Sequence, residues 1–419
     1  MKKIKNILIL AGGDSTRFWP LTDKVIFSFL GKSLVEHIFD AVNNYAQRIV
    51  IVTHPSINNR VKKIIANKAL VIPQLKTTLG MAGAVLAAKE VIKDEEVLII
   101  NGSDLLDFSF LSDFVKKIKD RNQLIITAKE ITDYFPGGYL KFGDNGRLTS
   151  IVEKPKAEET PSSLVKLVAD YFSNFDLLIE KINQSKEESD DLYEKGLTDL
   201  IKGVKKIEVF RYQGDFYPLK YPWQVLDLNR YFLSTLKKSY FGKNVVISKK
   251  ATIIGPVYFD DGAKVGDYAK IVGPSFVGKN SSIADYAMIN QSHIGDSCLI
   301  GGYSEVTRSY LGNKVFLHRN YVGDSVLADE VLLGAGAVLA NFRFDQQTVA
   351  SFIGGRKLST GFLKLGSIIG FGSKIGVNST LLPGVKIGQK TFIGPSQLVK
   401  EDVADNKFLF DNQLKNNLI

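Results

Sequence analysis

The feature that most restricts the fold of this chain is an apolar residue that returns every six positions in its C-terminal half. Six residues are too few for a helix–turn–helix repeat, but they match one flat side of a three-sided coil of parallel strands. The branched aliphatic residue points inward, and the small residue after it fits the corner. The two series are Val265, Ile271, Val277, Ile283 and Ile289, then Ile369, Ile375, Leu381, Ile387, Ile393 and Val399. We therefore predict an all-β parallel β-helix over residues 241–419, with a loop extruded at 341–364 where the period breaks.

Residues 1–240 have a different pattern, in which short apolar runs alternate with amphipathic stretches. This alternation predicts a Rossmann-like α/β domain with a largely parallel sheet, and ligands of such sheets bind outside the carboxyl ends of the strands. A length of 419 residues agrees with two domains. We expect strands at 7–10, 49–52, 97–100 and 124–127, helices at 34–43 and 82–91, and a joining helix at 226–238.

Composition and charge exclude several classes of protein. The net charge of +10 suits a solvated surface or phosphorylated substrates. We expect no nucleic-acid partner, because the chain has no dense basic tract interleaved with aromatics and no zinc-finger spacing. Cys298 is the single cysteine, which excludes a disulfide framework and suits the cytoplasm. The apolar runs have the length of buried strands, so we expect no membrane partner, and the basic N-terminus leads directly into a strand without a cleavage site.

A strand that ends in Gly12 and Gly13, followed by Arg17 and Lys24, is the first motif that carries chemistry. Glycines let the backbone approach a phosphate closely, and their free N–H groups can cradle it. The Arg17 guanidinium can make forked hydrogen bonds to phosphate oxygens. By spacing alone the motif is weak, because most glycine turns are only turns.

The residues around this loop resemble the sugar-1-phosphate nucleotidylyltransferase family. That family opens with a glycine-rich loop ending in Thr-Arg, then Pro-Leu-Thr, a lysine and Gly-Lys-Pro. This chain has Thr16-Arg17, Pro20-Leu21-Thr22, Lys24 and Gly31-Lys32 in the same order. Further matches are Gln74 with Gly80, the strand end Asn101–Asp104, the turn Gly137-Gly138-Tyr139, and Glu153-Lys154-Pro155. The resemblance implies a nucleotide-diphospho-sugar transferase domain of the bifunctional N-acetylglucosamine-1-phosphate uridylyltransferase/glucosamine-1-phosphate acetyltransferase type.

The resemblance also implies a reaction and roles for residues. A sugar phosphate oxygen would attack the α-phosphorus of a nucleoside triphosphate, and pyrophosphate would leave. Arg17 would hold the pyrophosphate and Lys24 the α-phosphate, while Mg²⁺ held by Asp104 would bridge the phosphates. The remaining substrate-binding residues would be Gly12 and Gly13 for the phosphates, Gln74 and Gly80 for the base, and Gly138, Glu153 and Lys154 for the sugar phosphate.

Several positions depart from the family pattern. Ser15 replaces a glycine, and Ser103 moves the strand-end aspartate to Asp104. Pro218 takes the place of the second metal-binding aspartate, for which Asp215 is a nearby alternative. The family's Asn-x-Gly sugar turn has no evident match near 168–171.

The C-terminal coil resembles the left-handed β-helix acyltransferases, especially the acetyltransferase half of the archaeal bifunctional sugar nucleotidyltransferases. His318 lies three residues before Tyr321, and Asn341 follows a Gly-Ala-Gly segment. A histidine can take a proton from a sugar amine near neutral pH. The resemblance implies that His318 is this base, that Tyr321 and Asn341 orient the sugar, and that acetyl-CoA is the co-substrate. Lys364 or Lys357 would meet a phosphate, and such coils form homotrimers.

Three functions stay open on the sequence alone. The first is an enzyme that makes a UDP- or dTDP-sugar from a nucleoside triphosphate and a sugar 1-phosphate, with or without acetyl transfer. The second is a catalytically silent sensor of a nucleotide sugar, which Ser103 and Pro218 favour. The third is an acyltransferase whose N-terminal half only anchors a nucleotide sugar. We interpret His37, His54 and His293 as structural.

Overall fold

The computed structural model describes residues 3–119, 123–185, 189, 191–204, 206–411 and 413–416. The chain divides into two compact units. The first unit holds the described residues of Met1–Asp14 and Leu34–Pro218, and the second holds Ser15–Ser33 with the described residues of Leu219–Ile419. The segment Ser15–Ser33 belongs to the second unit because its aromatic rings pack there, with Phe29 stacked on Phe232 and Phe27 against Tyr310. The domain boundary at residue 240 stays a prediction.

A nine-stranded mixed sheet forms the centre of the first unit. Its four parallel neighbours are, in spatial order, Leu70–Pro73, Ala46–Thr53, Ile4–Ala11 and Val97–Asn101. The next strand, Leu164–Phe172, is antiparallel to Val97–Asn101, so the sheet is less parallel than the strand–helix alternation predicts. The remaining strands are Gln123–Glu130, Gly138–Phe142, Leu148–Glu153 and Lys206–Tyr212.

Helices pack against the sheet through their apolar faces. Leu34–Val42 buries Leu34, Ile38 and Val42, whose spacing of four residues places them on one side. Among the described residues, no helix is long and apolar enough to cross a membrane. The α-helices are Leu34–Val42, Asn58–Ile65, Gly80–Ala87, Leu111–Lys117, Phe175–Gln184, Leu192–Gly203 and, in the second unit, Val225–Ser234.

Three sheets, parallel except for the antiparallel last pair Lys407–Phe410 and Gln413–Asn416, dominate the second unit and confirm the predicted three-sided spiral of the left-handed β-helix type. Lys264 pairs with Val246 and Ser282, eighteen residues away on either side, so one coil equals three six-residue sides. The first face comprises Tyr240–Phe241, Val257–Phe259, Ser275–Val277, His293–Ile294, Tyr310–Leu311, Val326–Leu327, Ile368–Ile369 and Lys386–Ile387. The second comprises Val246–Ile247, Lys264–Val265, Ser282–Ile283, Leu299–Ile300, Phe316–Leu317, Leu332–Leu333, Lys374–Ile375, Phe392–Ile393, Lys407–Phe410 and Gln413–Asn416. The third comprises Thr252–Ile254, Lys270–Val272, Met288–Asn290, Glu305–Thr307, Tyr321–Gly323, Val338–Leu339, Thr380–Leu381 and Leu398–Val399.

The repeating apolar residues line the inside of this spiral. Every member of the two six-residue series is buried and belongs to one continuous core. Where the next residue is glycine, the corner leaves little room for a side chain: a Cβ on Gly266 would lie 2.2 Å from the Asp285 carboxylate. The predicted inward aliphatic is thus confirmed throughout, whereas the small corner residue is present in part of the series and is replaced by Val272 after Ile271 and by Leu382 after Leu381.

The stretch that breaks the period leaves the spiral as a hairpin. Its strands Ala350–Ile353 and Arg356–Ser359 pair antiparallel around two glycines with positive φ. The coil resumes where Ile368–Ile369 pairs with Val326–Leu327. Two further ribbons are Ser28–Phe29 with Lys32–Ser33, and Asp104–Leu106 with Phe216–Pro218.

Candidate functional site

The glycine loop of the first unit is shaped by Gln74. This side chain is fully buried, and its Nε2 donates to the Lys76 and Gly80 carbonyls at 3.0 and 2.9 Å. Because carbonyl oxygens only accept hydrogen bonds, the amide atom that faces both of them must be the donor, Nε2. Its Oε1 lies against Gly12, where a Cβ would approach it to 1.8 Å. This Oε1 is buried and has no hydrogen-bond partner among the described residues, so it can accept a hydrogen bond from a ligand.

Two glycines, Gly80 and Gly83, allow the backbone to pack closely around Gln74. Gly80 has φ +52° and ψ −130°, a backbone conformation that residues other than glycine rarely adopt. A Cβ on Gly83 would lie 2.1 Å from the Lys76 carbonyl. Both glycines belong to the segment that the sequence predicts to read the base, and both lie in the first turn of the helix Gly80–Ala87.

His54 lies at the same carboxyl edge of the sheet, although the sequence analysis interpreted it as merely structural. Its backbone N–H donates to the Ala11 carbonyl, and its Nε2 lies 3.1 Å from the Asp14 carboxylate in the glycine loop. Gly13, by contrast, is exposed, and a Cβ there would meet no atom within 4 Å.

Asn101 organises the neighbouring strand end. Its Oδ1 accepts hydrogen bonds from the Ser103 backbone and hydroxyl, and its Nδ2 donates to Asp104 Oδ2 at 3.0 Å. Asp104 begins a short ribbon in which Pro218 is its direct cross-strand neighbour. Asp215 is exposed, and the described residues hold no cluster of three His, Cys, Asp or Glu suited to a metal ion. Asp104 is therefore the carboxylate that this strand end offers.

The structure brings Gly138 and Glu153 together as neighbours on two antiparallel strands. A Cβ on Gly138 would lie 3.1 Å from Glu153 Oε2 and 3.8 Å from the Lys166 Cβ. Lys154 is exposed, forms an ion pair with Glu153 at 2.9 Å, and has a left-handed backbone with φ +45°. Its N–H donates to the Gly137 carbonyl, which holds this strained residue in place.

A buried charged network lies behind these residues, and the sequence analysis missed it. Lys166 Nζ lies 2.7 Å from Asp170 Oδ2, and both side chains are almost completely buried. A bulge in strand Leu164–Phe172 permits this contact between residues four apart. The Tyr193 hydroxyl also donates to Asp170 Oδ2 at 2.7 Å. The sequence signal for this network is the presence of two charged residues, Lys166 and Asp170, within an otherwise apolar strand.

Glu194 lies in this network and predicts a pH dependence of stability. Burial raises the pKa of Glu194 to about 7; the Lys166 ammonium partly offsets this rise, and the neighbouring Glu153 charge adds to it. The folded state thus holds a proton that the unfolded state releases near pH 4.5, so stability falls as pH rises through this window. We expect the unfolding free energy of the wild type to fall by roughly 1–3 kcal/mol between pH 5 and 8. In Glu194→Gln this fall should be absent.

Urea unfolding of wild type and Glu194→Gln across that pH range measures this effect. The exposed Glu180→Gln is the matched control, which we expect to follow the wild-type curve. Parallel wild-type and Glu194→Gln curves would contradict the assignment.

Arg17 and Lys24 lie in the second unit. Arg17 is exposed on the short helix Thr16–Phe18, and the Lys24 ammonium lies 5.6 Å from the centre of the Phe18 ring. Two contacts attach this segment to the coil: the Tyr310 hydroxyl donates to the Ser28 carbonyl, and Trp19 Nε1 donates to Asp405. Lys386, which is buried and paired with Asp402, lies over the Trp19 ring.

The C-terminal candidates share one part of the spiral. His318 is exposed at the corner before strand Tyr321–Gly323, with its backbone N–H bonded to Asn320 Oδ1. The Tyr321 hydroxyl lies 3.4 Å from Asn341 Oδ1, and Asn341 Nδ2 donates to Asp324 at 2.5 Å. Burial raises the pKa of Tyr321, which keeps its hydroxyl protonated.

Asp324 is itself held by Arg308, which was missed from the sequence. The guanidinium makes two hydrogen bonds of 2.7 Å to the two carboxylate oxygens, a forked geometry typical of strong ion pairs. Asn341 is therefore oriented through Asp324 and Arg308. A Cβ on Gly323 would lie 2.5 Å from Asn341 Nδ2, so this position requires glycine.

Lys364 and the aromatic segment after Asn341 lie together. Lys364 is exposed, its ammonium lies 5.7 Å from the centre of the Phe342 ring, and the two residues form a bridge at the base of the hairpin. Lys357 lies on the hairpin strand Arg356–Ser359, away from this base along the chain. His293 is buried between the Phe276 and Tyr310 rings, and burial lowers its pKa to about 3, in keeping with a structural role.

Comparisons with known proteins match both units. Residues 6–212 match the family described as nucleotidyl transferase. The chain is 32% identical over 413 residues to the bifunctional protein GlmU of Methanococcus maripaludis strain C7, with 96% of each chain covered. It is 33% identical over 414 residues to the bifunctional sugar-1-phosphate nucleotidylyltransferase/acetyltransferase of Sulfurisphaera tokodaii, covering 96% of this chain and 98% of that protein. The GlmU protein of Methanocaldococcus jannaschii is 31% identical over 411 residues.

Proposed function

The chain belongs to the family of bifunctional sugar-1-phosphate nucleotidylyltransferase/acetyltransferases, and from this we propose that it makes a nucleotide sugar from a nucleoside triphosphate and a sugar 1-phosphate. An oxygen of the sugar phosphate attacks the α-phosphorus, and the bond to the pyrophosphate oxygen breaks. The protein supplies positioning and charge neutralisation, which dominate phosphoryl-transfer catalysis. Arg17 and Lys24 supply positive charge for the pyrophosphate and the α-phosphate.

The observation that carries this proposal is the buried Gln74 beside Gly12. Its Oε1 is an acceptor that lacks a donor among the described residues, at the sheet edge where ligands of α/β domains bind. Uracil and thymine present an N3–H donor, whereas N3 of cytosine is an acceptor. A uracil or thymine base that presents N3 to the amide oxygen therefore satisfies it, and a cytosine base bound in the same position leaves it unpaired.

We expect pyrophosphate release to be at least about tenfold faster with UTP or dTTP than with CTP, because one unpaired buried acceptor costs 1–3 kcal/mol. The measurement is pyrophosphate release, at limiting nucleotide, with N-acetylglucosamine 1-phosphate and Mg²⁺. Equal rates with CTP and UTP would refute the role of Gln74. Nucleotide binding without release for any triphosphate and sugar 1-phosphate would favour the silent sensor.

The sugar phosphate is assigned to Gly138, Glu153 and Lys154. The absence of a side chain on Gly138 leaves room beside Glu153 Oε2, which can accept hydrogen bonds from sugar hydroxyls while Oε1 pairs with Lys154. The exposed Lys154 ammonium is held beside it and suits the sugar phosphate. The buried Lys166–Asp170 pair supports this surface from behind.

Asp104 fits a Mg²⁺ ion in this proposal. Mg²⁺ in triphosphate sites is usually bound by one or two carboxylates, substrate phosphates and water. Asp104 is partly exposed and supplies one carboxylate, while Pro218 opposite it supplies none. When bound, the ion neutralises charge on the phosphates.

We propose acetyl transfer from acetyl-CoA to a sugar amine at His318. The imidazole takes a proton from the amine as its nitrogen attacks the thioester carbonyl carbon, and the carbon–sulfur bond breaks to release the thiol. Tyr321 and Asn341 orient the sugar, and the Arg308–Asp324 pair holds Asn341 in position. Lys364, exposed at the base of the hairpin, supplies positive charge for a phosphate.

A homotrimer through the β-helix and a cytoplasmic location complete the proposal. Large apolar side chains on the spiral, including Leu299, Phe316 and Leu398, are exposed and suit contact between copies. Cys298 is a buried thiol whose pKa burial raises to about 12, so it is a packing residue and not a reactive one.

A further inference from the structure

Three tyrosines form a stacked ladder along one corner of the spiral. The rings of Tyr268, Tyr286 and Tyr303 lie 5.0 Å apart in successive coils, with interplanar angles of 16° and 1°. All three have a left-handed backbone, which presents the rings in the same direction. The Lys250 ammonium, 5.2 Å from the centre of the Tyr268 ring, lies at the other end of the ladder. Tyr303 is the most exposed, at 68%.

The ladder ends one coil before the corner that carries His318. Ile300 pairs with Leu317 and Glu305 pairs with Tyr321, so the corner containing Tyr303 lies directly beside the corner that contains His318. One face of the Tyr303 ring is covered by Tyr286. With this face covered, Tyr303 is still largely exposed, so much of its side chain is accessible at this corner.

The surface beside the ladder is concave. A cavity of about 570 Å³ is lined by Tyr286 and Tyr303 together with Lys264, Ser282 and Asp285. This volume is sufficient for a sugar phosphate. Tyr303, at the corner before His318, thus lies at the edge of a hollow.

We propose that Tyr303 binds the acceptor of acetyl transfer, with the pyranose ring of an amino-sugar phosphate stacked on its ring while His318 takes the amine proton. This inference rests on the acetyl transfer proposed above. Sugar C–H faces pack well on aromatic rings, and a ring already held by Tyr286 loses little freedom when the sugar binds. Tyr303 is a substrate-positioning residue in this arrangement.

Steady-state acetylation of glucosamine 1-phosphate by the full chain tests the proposal, with thiol release from acetyl-CoA as the readout. We expect Tyr303→Ala to raise KM for the sugar about tenfold, with kcat and the KM for acetyl-CoA within about twofold of wild type. Tyr303→Phe keeps the stacking face and should restore the wild-type KM. Tyr268→Ala removes the equivalent ring two coils away and serves as the matched control, with an unchanged KM.

Sedimentation and thermal unfolding of each variant separate this role from a structural one. An unchanged sugar KM in a folded Tyr303→Ala variant would overturn the proposal. Loss of the oligomer in that variant would also overturn it and assign Tyr303 to the contact between copies. The absence of thiol release in the wild-type chain would refute acetyl transfer itself. This outcome is distinguishable from the test of Tyr303, which depends on the KM for the sugar in a chain that does release thiol.

Discussion

Gly12→Ala is expected to lower the rate of pyrophosphate release by at least about a hundredfold, the effect of a misplacement of roughly 1 Å near reacting groups. The new methyl group would lie 1.8 Å from Gln74 Oε1 and 2.9 Å from its Cδ. Gln74 is buried and cannot move away without breaking its hydrogen bonds to Lys76 and Gly80. The substitution therefore displaces both the base-reading amide and the loop backbone.

Gly13→Ala is the matched control for folding, because a methyl group there would contact no atom within 4 Å. We expect it to change the unfolding free energy by less than about 0.5 kcal/mol. Gly12→Ala should destabilise the first unit by about 1–3 kcal/mol through overpacking. Wild-type pyrophosphate release by Gly12→Ala would contradict the arrangement of Gln74. Thiol release, as a readout of the second unit, should be unaffected by Gly12→Ala.

His318→Ala is expected to lower acetyl transfer by about 10²–10⁴-fold while leaving pyrophosphate release unchanged. The imidazole is exposed at a corner beside Tyr321, where a sugar amine can reach it, and Tyr321 contacts the fixed Asn341. Without the imidazole, Arg319 and Asn320 are the side chains left at this corner, and neither guanidinium nor amide groups act as bases near pH 7. The measurement is thiol release from acetyl-CoA with glucosamine 1-phosphate.

Lys314→Ala, an exposed position in the same coil, is the control for the His318 substitution. Its ion pair with Glu330 is on the surface, so we expect thiol release at the wild-type rate. Acetyl transfer that survives His318→Ala would assign proton removal to another group. Wild-type acetyl transfer with no pyrophosphate release under any condition would favour the acyltransferase whose N-terminal half only anchors a nucleotide sugar.

Local patterns predicted much of the fold. Inward residues such as Ile271 and Ile387 repeat with the period of the spiral, because most flat sides are six residues long. The strands that start the first unit and the helix Leu34–Val42 follow from runs and spacings of apolar residues. The break in the period at 341–364 predicted an extruded loop, and the structure shows that this loop contains a hairpin.

Site residues were harder to predict because their meaning depends on partners distant in the chain. Gln74 was named from resemblance, but its buried, unpaired Oε1 became evident only beside Gly12. Lys166 and Asp170 were missed because a bulge brings together residues that a regular strand separates. Arg308 was missed because its partner Asp324 lies one coil away.

The amino-acid sequence by itself determined the three-sided spiral, the strand–helix alternation and the glycine loop, because these follow from periodicity and from conformations that side chains restrict locally. Tertiary structure alone decided that Ser15–Ser33 packs with the coil, that Pro218 opposes Asp104, and that Tyr303 ends a ladder beside the His318 corner. These relations depend on strand register and close packing between segments far apart in the chain. No local pattern of residue types encodes such distances.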